Sequence, residues 1–363
     1  MKKRLIIILI LLLILAPFVV RGYFLYNKEQ SAFEESVEQS VSQSVYQPAS
    51  QQTEISFVGD ILLDRGIQAK INVFGPNYPF QKVKGLLESS NVAMGNLENP
   101  AAVCGRAVSY KQYTFRAKPQ NLKGLRWAGM NLVSIANNHI LDYGREAMLE
   151  TMQNLEKTQV ACIGAGNSIQ EAFMPYFLEN NDEQIAFFAA SRVIPNTSWY
   201  ATEGRPGTAG AYNAEQLIQA INKVSKDSFV VVYLHWGDEL KTIPNNTQRQ
   251  LAKKLIDHGA DLIIGTHPHV LEGFEYYKGK LIAYSLGNFI FNNSNSSTMI
   301  LKVKINNKQA TFAKVIPCII KNYRPEPVLG KKQVIDFYNM MQARSFGVEI
   351  DKSGILSEEN KDE

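Results

Sequence analysis

Three of the five histidines in this 363-residue chain close apolar runs: His235 ends VVVYLH, and His267 and His269 follow LIIGT two positions apart. Imidazole nitrogens at such places are natural metal ligands. Other donors stand in the same kind of position. Asp60 follows Phe57, Val58 and Gly59; Glu98 follows the run 92–97; Asn138 and His139 follow 132–137. Carboxylate and amide oxygens combined with imidazole nitrogens form a ligand set suited to Zn²⁺, Mn²⁺ or Fe²⁺, as one ion or two. A lone Asp after a strand is most often a helix cap, and Asn-Asn-His in a loop is usually a turn. The argument therefore rests on the conjunction of Asp60, Glu98, Asn138, His235, His267 and His269. His258, in LIDHGAD before Gly259, sits where a helix should end and is read as structural.

The elements that must position these residues follow from periodicity. Strands are expected over 55–59, 92–95, 131–136, 184–190, 229–234, 262–264, 281–285, 299–305 and 310–316. Helices are expected over 79–89, 119–129, 145–157, 214–224 and 246–258. Early strands alternate with helices and the last three follow one another directly. That order means an α/β domain with an antiparallel finish, spanning 54–320. Open α/β sheets bind ligands at the carboxyl ends of their strands, where the candidate ligands lie.

The flanks differ in character. Lys2, Lys3 and Arg4 precede an uncharged run over 5–20, which with residues to 26 is long enough to span a bilayer. No small-x-small cleavage site follows, so 1–26 reads as an uncleaved signal-anchor rather than a removed signal peptide. The basic start would stay cytoplasmic and the rest would lie outside the cell membrane. Residues 27–53 are rich in Ser, Gln and Glu and read as a solvated stalk. Residues 321–363 form a C-terminal extension with one helix over 332–344, a charged, frayed tail and no evident chemistry.

Composition excludes some classes. A net charge of +4 with scattered basic residues argues against nucleic acid. Three cysteines, Cys104, Cys162 and Cys318, match no zinc-binding spacing and are expected to be reduced.

Taken in order, GDILLDRG, NLENP, SIANNHILDYG, VVYLHWGDE, GTHPHV and YSLGNFIF resemble the CapA/PgsA family of bacterial capsule proteins, which act in synthesis or export of poly-γ-glutamate. The resemblance covers about 54–317, and YTFRAKP (113–119) and 207–211 share in it. That family is similar in turn to the calcineurin-like metallophosphoesterases. The resemblance implies a four-layer sandwich of two mixed sheets flanked by helices, preceded by the membrane anchor. It implies that Asp60 is the first metal ligand, Glu98 the bridging carboxylate and Asn138 the amide ligand. His139 would meet the substrate or leaving group, and His235, His267 and His269 would complete two metal sites. One departure stands out: the superfamily's first motif is D-x-H, and here the position two after Asp60 is Leu62.

Second-tier residues keep two readings each. Asp142 would orient His139 or, the reading slightly favoured, cap the helix beginning near Gly144. Lys111 and Arg116 would meet an anionic substrate or lie on a solvated loop. Asn288 would line the cleft or close a turn. Glu239 would supply the oxygen that Leu62 does not, or orient His235. The functional expectation is a membrane-anchored component of poly-γ-glutamate synthesis with a phosphoesterase-like metal site, working with membrane-embedded synthase subunits on the anionic polymer. The competing expectations are a non-catalytic polymer-binding scaffold and a secreted metal-dependent hydrolase unrelated to capsule.

Overall fold

The computed structural model describes residues 52–180, 183–292 and 295–359. Expectations that fall on 1–51, the anchor and nearly all of the stalk, lie outside the described residues. Among the described residues, no helix is long and apolar enough to cross a membrane.

Two mixed sheets carry the fold. Strands in chain order are β1 (Thr53–Ile61), β2 (Val92–Leu97), β3 (Leu132–Ser134), β4 (Ala161–Ile163), β5 (Ala165–Gly166) and β6 (Tyr176–Asn180). Next come β7 (Glu183–Ser191), β8 (Gly207–Thr208), β9 (Phe229–His235), β10 (Leu262–Thr266), β11 (Phe274–Tyr277) and β12 (Lys280–Ala283). The last are β13 (Asn288–Ile290), β14 (Ser297–Asn306), β15 (Gln309–Lys321), β16 (Arg324–Pro327), β17 (Val348–Ile350) and β18 (Leu356–Glu358). The first sheet runs β16-β15-β14-β1-β2-β3-β4, with β13 beside β1, and the second runs β11-β12-β10-β9-β7-β6. Parallel pairing joins β1 to β4 and β7-β9-β10-β12, and antiparallel strands complete each sheet.

The helices are α1 (Arg65–Phe74), α2 (Lys84–Glu88), α3 (Lys123–Trp127), α4 (Gly144–Lys157), α5 (Ile169–Ala172), α6 (Glu215–Val224), α7 (Asn246–Asp257) and α8 (Lys331–Arg344). Phe57, Met94 and Leu132 of the first sheet meet Phe187, Val231 and Ile264 of the second in a shared core. The opposite face of the first sheet packs Val58, Ala93 and Val133 against Ile67, Leu125 and Met148 from α1, α3 and α4. The outer face of the second packs Ala186, Val230 and Ile263 against Leu217, Ile221 and Leu255 from α6 and α7. The layers are helices, sheet, sheet, helices. Both faces of each sheet are covered, which is why the central strands read as continuous apolar runs rather than alternating ones.

Several elements differ from the sequence expectation. The helix expected over 79–89 is a 3₁₀ turn, Tyr78–Phe80, followed by the five-residue α2. The helix over 119–129 likewise begins as a 3₁₀ turn, Pro119–Leu122, before α3. Helix α1 had no sequence counterpart, because its buried stripe is only Ile67 and Ile71. The segment beyond 320 enters the core instead of trailing from it: Phe337, Tyr338 and Met341 of α8, with Val348 and Leu356 of β17 and β18, pack between the sheets. His258 is the C-cap of α7 and its Nδ1 meets the carbonyl of Lys254 at 2.8 Å, as a structural histidine should. All three cysteines are free.

A polar network ties α7 to the second sheet. Arg249 donates two hydrogen bonds of 2.9 Å to Glu275, Tyr284 Oη donates at 2.7 Å, and Lys253 Nζ lies 2.9 Å away. Burial alone would raise the Glu275 carboxyl, but these donors outweigh it and hold it at about 2, below its ordinary 4.5. A depressed carboxyl contributes stability that is complete above its unfolded value and is lost as pH falls through the folded one. Arg249 and Lys253 are a third exposed, so water screens the pairs and about 1–2 kcal/mol is expected. Glu275→Gln should be less stable than the parent by that amount at pH 7, in urea unfolding monitored by circular dichroism. The gap should close as the pH is lowered from 4.5 toward 2; a gap unchanged with pH would refute the assignment.

Candidate metal centre

The site lies where the carboxyl ends of β1, β2, β3, β9 and β10 converge. Its first requirement is a close backbone crossing. A Cβ on Gly59 would come 1.8 Å from the carbonyl oxygen of Gly287, so only glycine lets β1 approach the 286–288 segment. At that crossing Asp60 N donates to Gly287 O at 2.9 Å, and the β1 register with β2 and β13 shifts around Asp60. Tyr233 Oη, from the opposing sheet, donates to Val58 O at 2.6 Å and links the two sheets beneath the site.

Amides then lock the strand ends to one another. Asn96 Nδ2 donates to Asp60 Oδ1 at 2.8 Å, and Asn137 Nδ2 donates to Asn96 Oδ1 at 2.9 Å and Leu97 O at 2.8 Å. Asn137 Oδ1 accepts from the backbone N–H groups of His139 and Ile140. Asn96 and Asn137 are wholly buried, and neither was singled out from sequence. The available signal was an asparagine two residues before Glu98 and one before Asn138, in NLE and NNH.

The six expected ligands are brought together. His235 Nε2 lies 3.0 Å from Asn138 Oδ1 and 3.7 Å from Glu98 Oε1. His269 Nε2 lies 3.8 Å from the same Glu98 oxygen, while its Nδ1 faces Asn288 Oδ1 at 2.9 Å and Asp60 Oδ2 at 3.4 Å. The rings of His235 and His267 are 4.7 Å apart between centroids. His267 and His269 have φ of 99° and 60°, a left-handed conformation that costs of order 1–3 kcal/mol for a non-glycine residue.

Donor atoms fall into three overlapping groups, each within 4.8 Å: Asp60–Glu98–His269, Glu98–His235–His267 and Glu239–His267–His269. Glu98 belongs to two of them, which is where a carboxylate shared by two ions would stand. Both its oxygens and His267 Nδ1 are buried without a hydrogen-bond partner among the described residues. Burial first, and then the charge of Asp60, push the Glu98 carboxyl well above its ordinary value. Burial likewise drives His235 well below the usual imidazole range, with His267 and His269 adding to the effect. Burial and His269 take His267 to about 4. Burial would lower His269 too, but Glu98 and Asp60 overcome it and raise it to about 10. The orphaned Glu98 oxygens and the uncharged imidazoles of His235 and His267 fit a divalent cation, and a cation bound there would displace the proton that Glu98 and Asp60 hold on His269.

His139 stands beside this cluster with its own supports. Its Nδ1 donates to Asp142 Oδ2 at 2.7 Å, and Phe115 packs against the ring at 4.5 Å between centroids. Asp142 also accepts from Phe115 N and from Lys111, so it orients His139. The favoured capping reading fails, because Tyr143 is the N-cap of α4 and no side chain caps that end. Lys111 is committed within the protein: Nζ donates to Asn138 O at 2.6 Å and pairs with Asp142. Arg116 is also spent on the fold. Its guanidinium lies 4.0 Å over the Tyr143 ring and donates to the carbonyls of Val103 and Cys104. Asn288 orients His269 from the cleft wall, and Glu239 is exposed at the rim within reach of His267 and His269. Leu62 is fully buried.

Two mixed sheets, helices outside them and a carboxylate–histidine–asparagine cluster at their common carboxyl edge define an α/β protein with a candidate divalent-metal centre. The family model for "Bacterial capsule synthesis protein PGA_cap" matches residues 54–293, and the chain belongs to that family. Among curated relatives, it is 33% identical over 282 residues to the PGA biosynthesis protein CapA of Bacillus subtilis (strain 168), covering 75% of this chain and 73% of that one. It is 30% identical over 291 residues to the capsule biosynthesis protein CapA of Bacillus anthracis, covering 77% and 70%. Among solved structures, the NAD nucleotidase NadN of Haemophilus influenzae aligns with 81% of this chain and 64% of its own, at a TM-score of 0.45 and 13% identity.

If Glu98 is held for a cation, removing its charge should cost the metal and not the fold. In chelator, Glu98→Gln should melt no lower than the parent, since an unpaired buried carboxylate is replaced by a neutral isostere. With Mn²⁺, Fe²⁺ or Zn²⁺ in excess of Kd by about a hundredfold, the parent should gain roughly 2.7 kcal/mol and the variant little. Equal metal-induced shifts in scanning calorimetry would remove Glu98 from the ligand set.

Proposed function

We propose that this chain is a component of poly-γ-glutamate capsule synthesis or export that acts as a metal-dependent hydrolase of the phosphoesterase type. Its substrate would be the anionic polymer or a phosphorylated precursor. Family membership supports the capsule role. The observation that carries the catalytic part is Glu98 shared between two ligand groups, with His139 beside them. Asp60, Glu98, Asn138, His235, His267 and His269 would hold one or two divalent ions, which when bound supply Lewis acidity to the scissile group. Asp142 fixes His139 by accepting from Nδ1, and burial holds the ring below the usual imidazole range, so Nε2 would take up the proton released by the attacking water and pass it to the departing oxygen. Lys111 keeps Asp142 in place through its ion pair and the Asn138 carbonyl. Phe115 excludes water from one face of the imidazole.

The domain would work on the outer face of the cell membrane, held there by residues 1–26 and facing membrane-embedded synthase subunits. A second reading has a specific observation behind it. Leu62 fills with buried hydrocarbon the position where the D-x-H motif would place a further ligand. A cluster so reduced could grip a cation and a polyanion without turning anything over, and the chain would then be a polymer-binding scaffold.

Turnover separates the two readings. The full chain loaded with each metal should hydrolyse a generic phosphodiester or a γ-linked glutamate substrate, and His139→Ala should lower kcat about 10²–10⁴-fold while metal content stays the same. Bound metal with no turnover on either substrate would discard the hydrolase and leave the scaffold.

A further inference from the structure

Beyond the metal cluster, two arginines share a corner of the cleft with nothing anionic to face. Arg145 stands in the first turn of α4, three residues past Asp142. Its Nε donates to Pro206 O at 2.8 Å and its Nη2 to Ser198 O. Arg205 Nη2 donates to Tyr200 O at 3.4 Å, and its Nε is buried without a partner. Both guanidinium groups thus touch only carbonyls, and among the described residues neither pairs with a carboxylate. Glu146 and Glu203, the nearest acidic residues in the chain, are exposed and form no ion pair with them.

Like charges gathered in this way repel. Burial, and then the charge of Arg205, lower Arg145 from its ordinary value. The amino end of α4 adds a partial positive charge, because no side chain caps it. The corner also adjoins the reactive histidine. Lys111 Nζ, bonded to the Asn138 carbonyl, lies 5.3 Å from the Trp199 ring centroid, and Trp199 Nε1 donates to Tyr110 Oη at 2.7 Å. Ser198, which binds Arg145, precedes that tryptophan. Trp199 is itself buried, so a substrate reaching His139 would extend past it to the arginines over the 60% exposed Tyr110 ring.

We propose that Arg145 and Arg205 form an oxyanion subsite next to the metal centre, which takes a carboxylate or phosphate of the bound substrate two-pronged. A planar guanidinium fork matches the two oxygens of such a group, and the buried Arg205 Nε is the donor left over for it. The subsite deepens the substrate reading given above but needs no metal to bind.

The test is titration calorimetry on the full chain in EDTA, with a γ-linked glutamate oligomer in one arm and inorganic phosphate in the other. At least one probe should bind, and Arg145→Gln and Arg205→Gln should each weaken it about tenfold or more. Preference for the oligomer assigns the oxyanion to a carboxylate chain, and preference for phosphate to a phosphoryl group. Binding of neither probe, or folded variants that bind as well as the parent, overturns the proposal. Should either variant fail to fold, hydrogen exchange on the unmutated protein decides. Saturating probe must slow the amides of 198–207, and unchanged exchange overturns the subsite. Because chelator is present throughout, loss of the metal reading would leave this result standing, and the reverse holds for the calorimetry of Glu98→Gln.

Discussion

A carboxylate buried without a partner is among the most costly groups a protein interior can hold. Glu98 is such a group, with both oxygens orphaned, and the structure around it is arranged to keep it there. It follows β2, the strand flanked by β1 and β3, so the ends of both neighbours reach it. The second sheet contributes His235 and, just past β10, His267 and His269 from the other side. The groups nearest its oxygens thus come from both sheets and not from one loop. The Gly59 crossing and the Tyr233–Val58 bond fix how closely the two sheets approach beneath the site.

The candidate cluster was legible because the side chains name themselves. Histidine, aspartate and glutamate at the ends of apolar runs are visible in the string, and a parallel sheet brings such ends to one edge. What holds them was not legible. Asn96 and Asn137 act through register, since Asn96 reaches Asp60 only because β1 and β2 pair with Asp60 opposite Asn96. No local pattern states which strand lies beside which. Lys111 and Arg116 were ambiguous for a related reason: a cation in a loop looks alike whether it meets a ligand or, as here, the protein's own carboxylate and carbonyls. The paired 3₁₀ and α turns at 78–88 and 119–127 show apolar spacing compatible with either geometry. Residues past 320 looked like an appendage because their apolar positions are few, yet those few complete the core between the sheets.

The site divides into the candidate ligand cluster and the His139 group beside it, and the two are braced separately. Asp60 and the histidines depend on the amide relay and on Asn288, while His139 depends on Asp142, Lys111 and Phe115. Asn138 touches both, offering Oδ1 to His235 and its carbonyl to Lys111. A change to one bracing set therefore need not disturb the other.

The left-handed backbone at His267 and His269 has a bearing on how such a site persists over time. Glycine or asparagine would occupy either position with less backbone strain. Drift toward those residues would relax the loop, so conformational stability alone exerts no pull toward histidine there. A lineage that keeps both imidazoles does so against the preference of its own main chain. The strain at these two positions is thus the backbone cost of placing two imidazoles at the cluster.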